Sequence, residues 1–258
     1  MLRGMAALTD THAHLCDPLF DADLGKVLER ARQASILAIV SVSENLADAG
    51  KNLELAARHP MIRPAAGLYP TILDMDLARE MRDFIRVHQD KLVAIGEVGL
   101  DYWRIQEEPG REIQREIFRG FVGLSGELGL PINVHSRSAG RLAVAILLEA
   151  GARKVQMHAF DGKSSAALPA VEAGYFFSIP PSVVRSEQKR KLVKKLPLSS
   201  LLIETDSPVL GPAARERNEP ANALIAVRAI AELKGMEEAE VIEAVSGNTR
   251  RLYGDSFS

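Results

Sequence analysis

With 258 residues, 47% hydrophobic and 26% charged, the chain has the composition of a globular protein with one large core, and residues 1–258 fit a single domain. A formal net charge of −2 excludes a general attraction to polyanions, so any contact with nucleic acid must be local. Cys16, the only cysteine, excludes an internal disulfide and a cysteine-based zinc site, and it suits a reducing, cytoplasmic setting.

No stretch is long and apolar enough to span a bilayer, and the opening residues MLRGMAALTD lack the apolar segment of a signal peptide. No obligate protein partner is implied. Short β-rich apolar runs alternate with longer segments of helical spacing. The runs are residues 6–11, 36–42, 62–67, 92–97, 132–135, 155–158, 175–179 and 201–205. Between the fourth and fifth, residues 111–128 place Ile113, Ile117, Phe121, Leu124 and Leu128 on one helical face. Residues 188–196 are basic on one side and stop at Pro197, while 222–233 and 237–244 read as closing helices. Eight strand–helix units in this length predict an α/β fold, a TIM (β/α)8 barrel. A doubly wound open sheet uses the same local alphabet and remains the alternative.

In the first run Asp10, His12 and His14 alternate, so their side chains leave one face of an extended chain, and two imidazoles there can grip one ion. Such a pair also arises from core packing. Glu97, His135, His158 and Asp206, however, close four further predicted strands, and a barrel brings those ends to one mouth, where active sites of this fold are built. His59 and His88 lie near the ends of helix-like segments and read as surface residues. Imidazoles and carboxylates without thiolates suit Zn²⁺, Mn²⁺ or Mg²⁺. Glu97 can bridge two divalent ions, and Asp206 is the choice for general base. Glu204, on the same face as Asp206, reads as a partner that orients a ligand or a water.

The segments TDTHAHL (9–15), GEVGLDY (96–102), PINVHSR (131–137), HAFDG (158–162) and ETDSP (204–208) resemble, in order, the motifs of the TatD family of metal-dependent deoxyribonucleases. The likeness runs from the N-terminus to about Asn248, and HSRSAGR, HAFDG, GYFFSIPPS and RNEP look most like the TatD DNase domain-containing protein 3 branch. The resemblance implies a TIM barrel of the metal-dependent hydrolase type, divalent-cation dependence, and hydrolysis of phosphodiester bonds in DNA, commonly exonucleolytic. It also implies His12, His14, Glu97 and Asp206 on one ion, with Glu97, His135 and His158 on a second. Asp101 has two open readings, orienting a ligand or capping its loop. One departure stands out. Many members carry histidine in a Gly-x-His-Pro motif, whereas Gly67-Leu68-Tyr69-Pro70 has a tyrosine. A neutral phenol, with an unperturbed pKa of about 10, can stack on a base or donate to phosphate but cannot act as a cationic ligand.

Arg137, two residues past His135 on the same strand face, offers a guanidinium fork to phosphate; the competing reading is a salt bridge on the rim. Arg185 and the Arg217-Asn218-Glu219 stretch are further candidates for substrate contact. The run Lys189, Arg190, Lys191, Lys194, Lys195 reads as a solvated helix face, although its charge also suits a nucleic-acid backbone. Trp103 stacks on a base or covers the barrel end. The expected activity is metal-dependent cleavage of DNA. An amidohydrolase or phosphoesterase acting on a small molecule is the alternative that Tyr69 and the weak net charge keep open, and a non-catalytic metal-binding scaffold is the third reading.

Overall fold

The computed structural model describes residues 8–254 and residue 257. Its strands are β1 (Leu8–Ala13), β2 (Ile36–Ser41), β3 (Ile62–Ala66), β4 (Ala94–Asp101), β5 (Ile132–Arg137), β6 (Val155–Met157), β7 (Phe176–Ile179) and β8 (Leu201–Ile203). The helices between and after them are α1 (Leu24–Gln33), α2 (Leu46–Arg58), α3 (Met75–His88), α4 (Glu108–Leu128), α5 (Gly140–Glu149), α6 (Ser164–Glu172), α7 (Glu187–Lys195), α8 (Ala223–Lys234) and α9 (Glu238–Tyr253).

The strands pair in chain order, every neighbour parallel. A doubly wound sheet reverses its order at a switch point, so this sequence of pairing selects the barrel. The ring closes just beyond β8: the Asp206 amide donates to the His12 carbonyl at 2.8 Å, and the His14 amide donates to the Ser207 carbonyl at 2.7 Å. Asp10 secures this seam by accepting hydrogen bonds from both the amide and the hydroxyl of Thr205. Its carboxylate is therefore spent on closure.

Strand limits moved for similar reasons. Of the first expected run, Ala6 and Ala7 lie outside the described residues, and β1 runs on to Ala13. β4 continues past Glu97 to Asp101 because its ladder with β5 persists through Val98–Val134, Gly99–His135, Leu100–Ser136 and Asp101–Arg137. Glu97 and His135 thus lie inside strands and not at their last residues.

The helices form an outer layer over the strands. On α4, Pro109 stands in the first turn, Gly129 ends the helix at φ 67°, and Ile117, Phe118, Phe121, Val122 and Leu124 are buried. Inside the barrel, Ala38, Val40, Val42, Ala65 and Ala94 pack with Phe257, and Tyr253 of α9 lies against them. The Tyr253 hydroxyl donates to Gln156 Oε1, placing the last turn of α9 under the polar layer that carries the site.

Close approach of β4 to β5 depends on Gly99, whose φ is 146° and where an added Cβ would fall 2.0 Å from the His135 carbonyl oxygen. Gly123, in contrast, is exposed on α4 with nothing within 4 Å of such a carbon. Chemical denaturation should therefore show Gly99→Ala losing more than about 2 kcal/mol, while Gly123→Ala gains about 0.5–1 kcal/mol from helix propensity.

Candidate active site

Glu97, at 1% exposure, is the centre of the site. Its Oε1 lies 2.9 Å from His135 Nδ1, 3.4 Å from His158 Nε2 and 3.9 Å from His12 Nε2, and its Oε2 lies 3.9 Å from His14 Nε2. One buried carboxylate therefore touches all four histidines that the sequence singles out. Asp206 joins from the turn after β8, where it adopts φ 56°, a left-handed conformation that aspartate tolerates better than most residues. Its Oδ1 is 3.4 Å from His12 Nε2 and 3.3 Å from His14 Nε2, and its Oδ2 is 3.9 Å from His158 Nε2.

These donors fit a metal. His12 Nε2 and His14 Nε2 are 3.2 Å apart, so with Asp206 Oδ1 they form a nearly equilateral triangle. Ligands about 2.0–2.1 Å from a tetrahedral ion stand about 3.3 Å from one another. Among the described residues, His12, His14 and Glu97 form one group able to hold an ion, and Glu97, His135 and His158 form another.

The backs of the rings are held as well. The Asn133 amide donates to the Thr11 carbonyl, which leaves its oxygen, 2.9 Å from His12 Nδ1, as an acceptor. The His12 proton therefore sits on Nδ1, and the Nε2 lone pair faces the cluster. Glu204 does the same for His158, accepting from Nδ1 at 3.0 Å while also taking the Ser178 hydroxyl and the Ala159 amide. Glu204 also lies close enough to His12 and His158 to form a third possible ligand group, but its oxygens are occupied by these donors, so we assign it to orientation. Asp101 divides its roles: Oδ1 caps the loop by accepting from the Trp103 and Arg104 amides, and Oδ2 lies 3.3 Å from His135 Nε2. It is fully buried and faces His135, not the open mouth.

Burial alone would lower the His12 and His135 pKa values, but the surrounding carboxylates outweigh it. Hydrogen bonding to Asp206 and the charge of Glu97 push His12 up to about 10, and Glu97 with Asp101 pushes His135 up to about 9. Conversely, burial would raise Glu97 and Asp206, yet the histidines hold both below the usual carboxylate range. The cluster thus demands positive charge, which protons or divalent ions can supply.

A cavity of about 440 Å³ opens above the cluster, lined by His135, His158, Asp206, Tyr69, Arg137 and Lys189 among others. The Tyr69 hydroxyl lies 3.4 Å from Asp101 Oδ2, its ring meets His135 edge-on, and burial raises the phenol pKa, so it enters the mouth as a neutral group. The Arg137 guanidinium lies 3.8 Å from the centre of the Trp103 ring, which accounts for both residues: the indole holds the guanidinium at the cavity wall. Arg185 is exposed and donates to the Gly211 carbonyl, outside the cavity lining. Arg217 pairs with Asp23, Asn218 ties down the carbonyls of Thr205 and Val209, and Glu219 pairs with Arg30. That stretch anchors the loop after β8. His59 and His88 are half-buried and stand apart from the ligand groups. Sequence reasoning missed the orienting role of Asn133 and the inward turn of Lys189; for Asn133 the available signal was its position two residues before His135 on the same strand face.

The family model described as TatD related DNase matches residues 9–254. The chain belongs to the TatD family. Human deoxyribonuclease TATDN3 is 45% identical, the alignment covering 95% of this chain and 94% of that protein. An uncharacterised metal-dependent hydrolase of Bacillus subtilis, YabD, is 35% identical with 95% and 98% covered. The crystal structure of the TatD homologue YjjV from Escherichia coli superposes with a TM-score of 0.88 at 27% identity, covering 95% of this chain and 97% of that one.

Two outcomes test how this TatD site is held. Removing the carboxylate behind His158 by Glu204→Gln should weaken Mn²⁺ or Zn²⁺ binding about 10- to 100-fold by calorimetry, with the fold retained by circular dichroism. In chelator-treated protein, His12 and His135 are raised above their ordinary 6.5, so their stabilisation is complete below that pH and is lost as pH climbs through about 9 and 10. The melting temperature should accordingly fall over that alkaline range, and excess Mn²⁺ should abolish the fall.

Proposed function

We propose that this TatD family hydrolase is a divalent-metal-dependent deoxyribonuclease acting on a DNA strand end. In this reading His12, His14, Glu97 and Asp206 hold one ion, and Glu97, His135 and His158 hold a second. The observation that carries it is the sharing of Glu97 among four histidines beside a cavity with a cationic wall. The human relative bears the name deoxyribonuclease, and the Bacillus relative that of a metal-dependent hydrolase.

When bound, such a pair of ions supplies Lewis acidity to a phosphoryl oxygen and lowers the pKa of water. Mixed imidazole and carboxylate donors suit Zn²⁺ or Mn²⁺, and Mg²⁺ where carboxylates and water dominate. The protein's own groups do the rest. Asp206 lines the cavity, and its Oδ2, farther from the histidines than Oδ1, is the atom that accepts the proton of the attacking water. Arg137 presents its fork to the phosphate from a position fixed by Trp103. The hydroxyl of Tyr69 is turned to Asp101, and its ring offers a face to a base.

A cavity of about 440 Å³ has the capacity of a small-ligand pocket, room for one nucleotide, which supports attack at a strand end. No helix among the described residues is long and apolar enough to cross a membrane. The buried thiol of Cys16, pushed up to about 12 by burial, suits the reducing cytoplasm, where we place the protein.

Cleavage of an end-labelled oligonucleotide should require added divalent metal, vanish in chelator, and drop by at least about a thousandfold in Glu97→Ala and Asp206→Ala. Wild-type rates in either variant would sink the assignment. Turnover confined to small amides or phosphate esters in a substrate panel would replace it with a small-molecule hydrolase.

A further inference from the structure

We propose that Lys189 is a phosphate-binding residue of this site, donating to non-bridging oxygens of the substrate strand from α7 while Arg137 does so from β5. The inference rests on the deoxyribonuclease reading for the identity of the substrate, but the phosphate contact stands on geometry of its own.

The basic run on α7 reads in the sequence as one solvated face. Its members separate in the fold. Arg190 pairs with Glu232, Lys191 pairs with Glu187, and Lys194 and Lys195 are exposed. Lys189 instead turns inward, half-buried, to line the cavity beside His158, Asp206 and Arg137. Its Nζ donates to the carbonyl of Ala159, the residue after His158, at 3.0 Å.

An ammonium carries three donors, and among the described residues this one has a single hydrogen-bond partner. A cation drawn from solvent with donors unspent calls for an anion. Burial lowers its pKa, opposed by the charges of Glu204, Asp161 and Asp206, none of which reaches it as an ion-pair partner. Phosphate oxygens entering between Lys189 and Arg137 meet that need.

The group is also held in place before substrate arrives. Ser186 caps α7 by accepting from the Lys189 amide. Gln188 donates to the carbonyls of Phe160 and Gly162, which ties the first turn of α7 to the loop behind His158. Because this stitching is made by neighbours, replacing the Lys189 side chain leaves α7 anchored. A fixed lysine beside the metal ligands supplies the cationic contact that Tyr69 cannot.

The test compares wild type, Lys189→Met and Lys189→Arg, each loaded with Mn²⁺ and checked by circular dichroism. Two readouts are taken: KM and kcat on a single-stranded oligonucleotide, and the dissociation constant of inorganic phosphate by calorimetry. Lys189→Met should raise KM and the phosphate constant together about 10- to 100-fold, the weight of one charge-assisted hydrogen bond, with a smaller effect on kcat, and Lys189→Arg should restore most of both. An unchanged phosphate constant in Lys189→Met overturns the proposal, as does equal impairment of both variants, which would mark a purely structural lysine. If wild type cleaves no DNA yet binds phosphate through Lys189, the phosphate site stands and the deoxyribonuclease reading falls.

Discussion

A carboxylate buried among four imidazoles keeps its charge only while positive charge shares the space, and the arrangement of this barrel follows from that constraint. Alone in the interior, Glu97 would take up a proton. Surrounded by His12, His14, His135 and His158, it stays ionised and in turn raises the proton affinity of the rings. The cluster is therefore an electrostatic niche for positive charge, which protons or divalent ions can supply. The second layer decides which nitrogen each occupant meets, because Asn133 and Glu204 fix the outward proton of His12 and His158.

Bringing the groups this close falls to the backbone. Glu97 can lie against His135 only because β4 and β5 approach at a glycine that no side chain could replace without moving the His135 carbonyl. The opposite side of the cluster is assembled at the barrel seam, where Asp206 is turned toward β1 by the same hydrogen bonds that close the ring. Closing the barrel and completing the cluster are one event in the structure. Asp10 serves that seam as well, through the amide and hydroxyl of Thr205.

Much of this was legible in the sequence. Strand ends in a parallel barrel converge, so His12, His14, Glu97, His135, His158 and Asp206 could be grouped from alternation alone, and the structure brings all six together. What failed was anything set by partners distant in the chain. Period-two spacing set Asp10 on a face with the histidines but could not show that its partner is Thr205, across the barrel seam. The length of β4 depended on its ladder with β5, which no local pattern encodes. Lys189 looked like its basic neighbours because helical periodicity reports which face a residue occupies, not where a long flexible stem turns its head. Arg137 and Trp103, weighed separately, proved to be one unit.

The hydroxyl of Tyr253 on α9 reaches Gln156, which donates to Ser178; Ser178 donates to Glu204, and Glu204 orients His158. An unbroken line of hydrogen bonds thus joins the last helix to an imidazole of the cluster through the floor of the barrel. During synthesis every histidine of the cluster is made long before α9, yet His158 has its full support only once that helix has docked. The support behind His158 is therefore tied to docking of the last helix, and whatever loosens α9 loosens the hold on that ring.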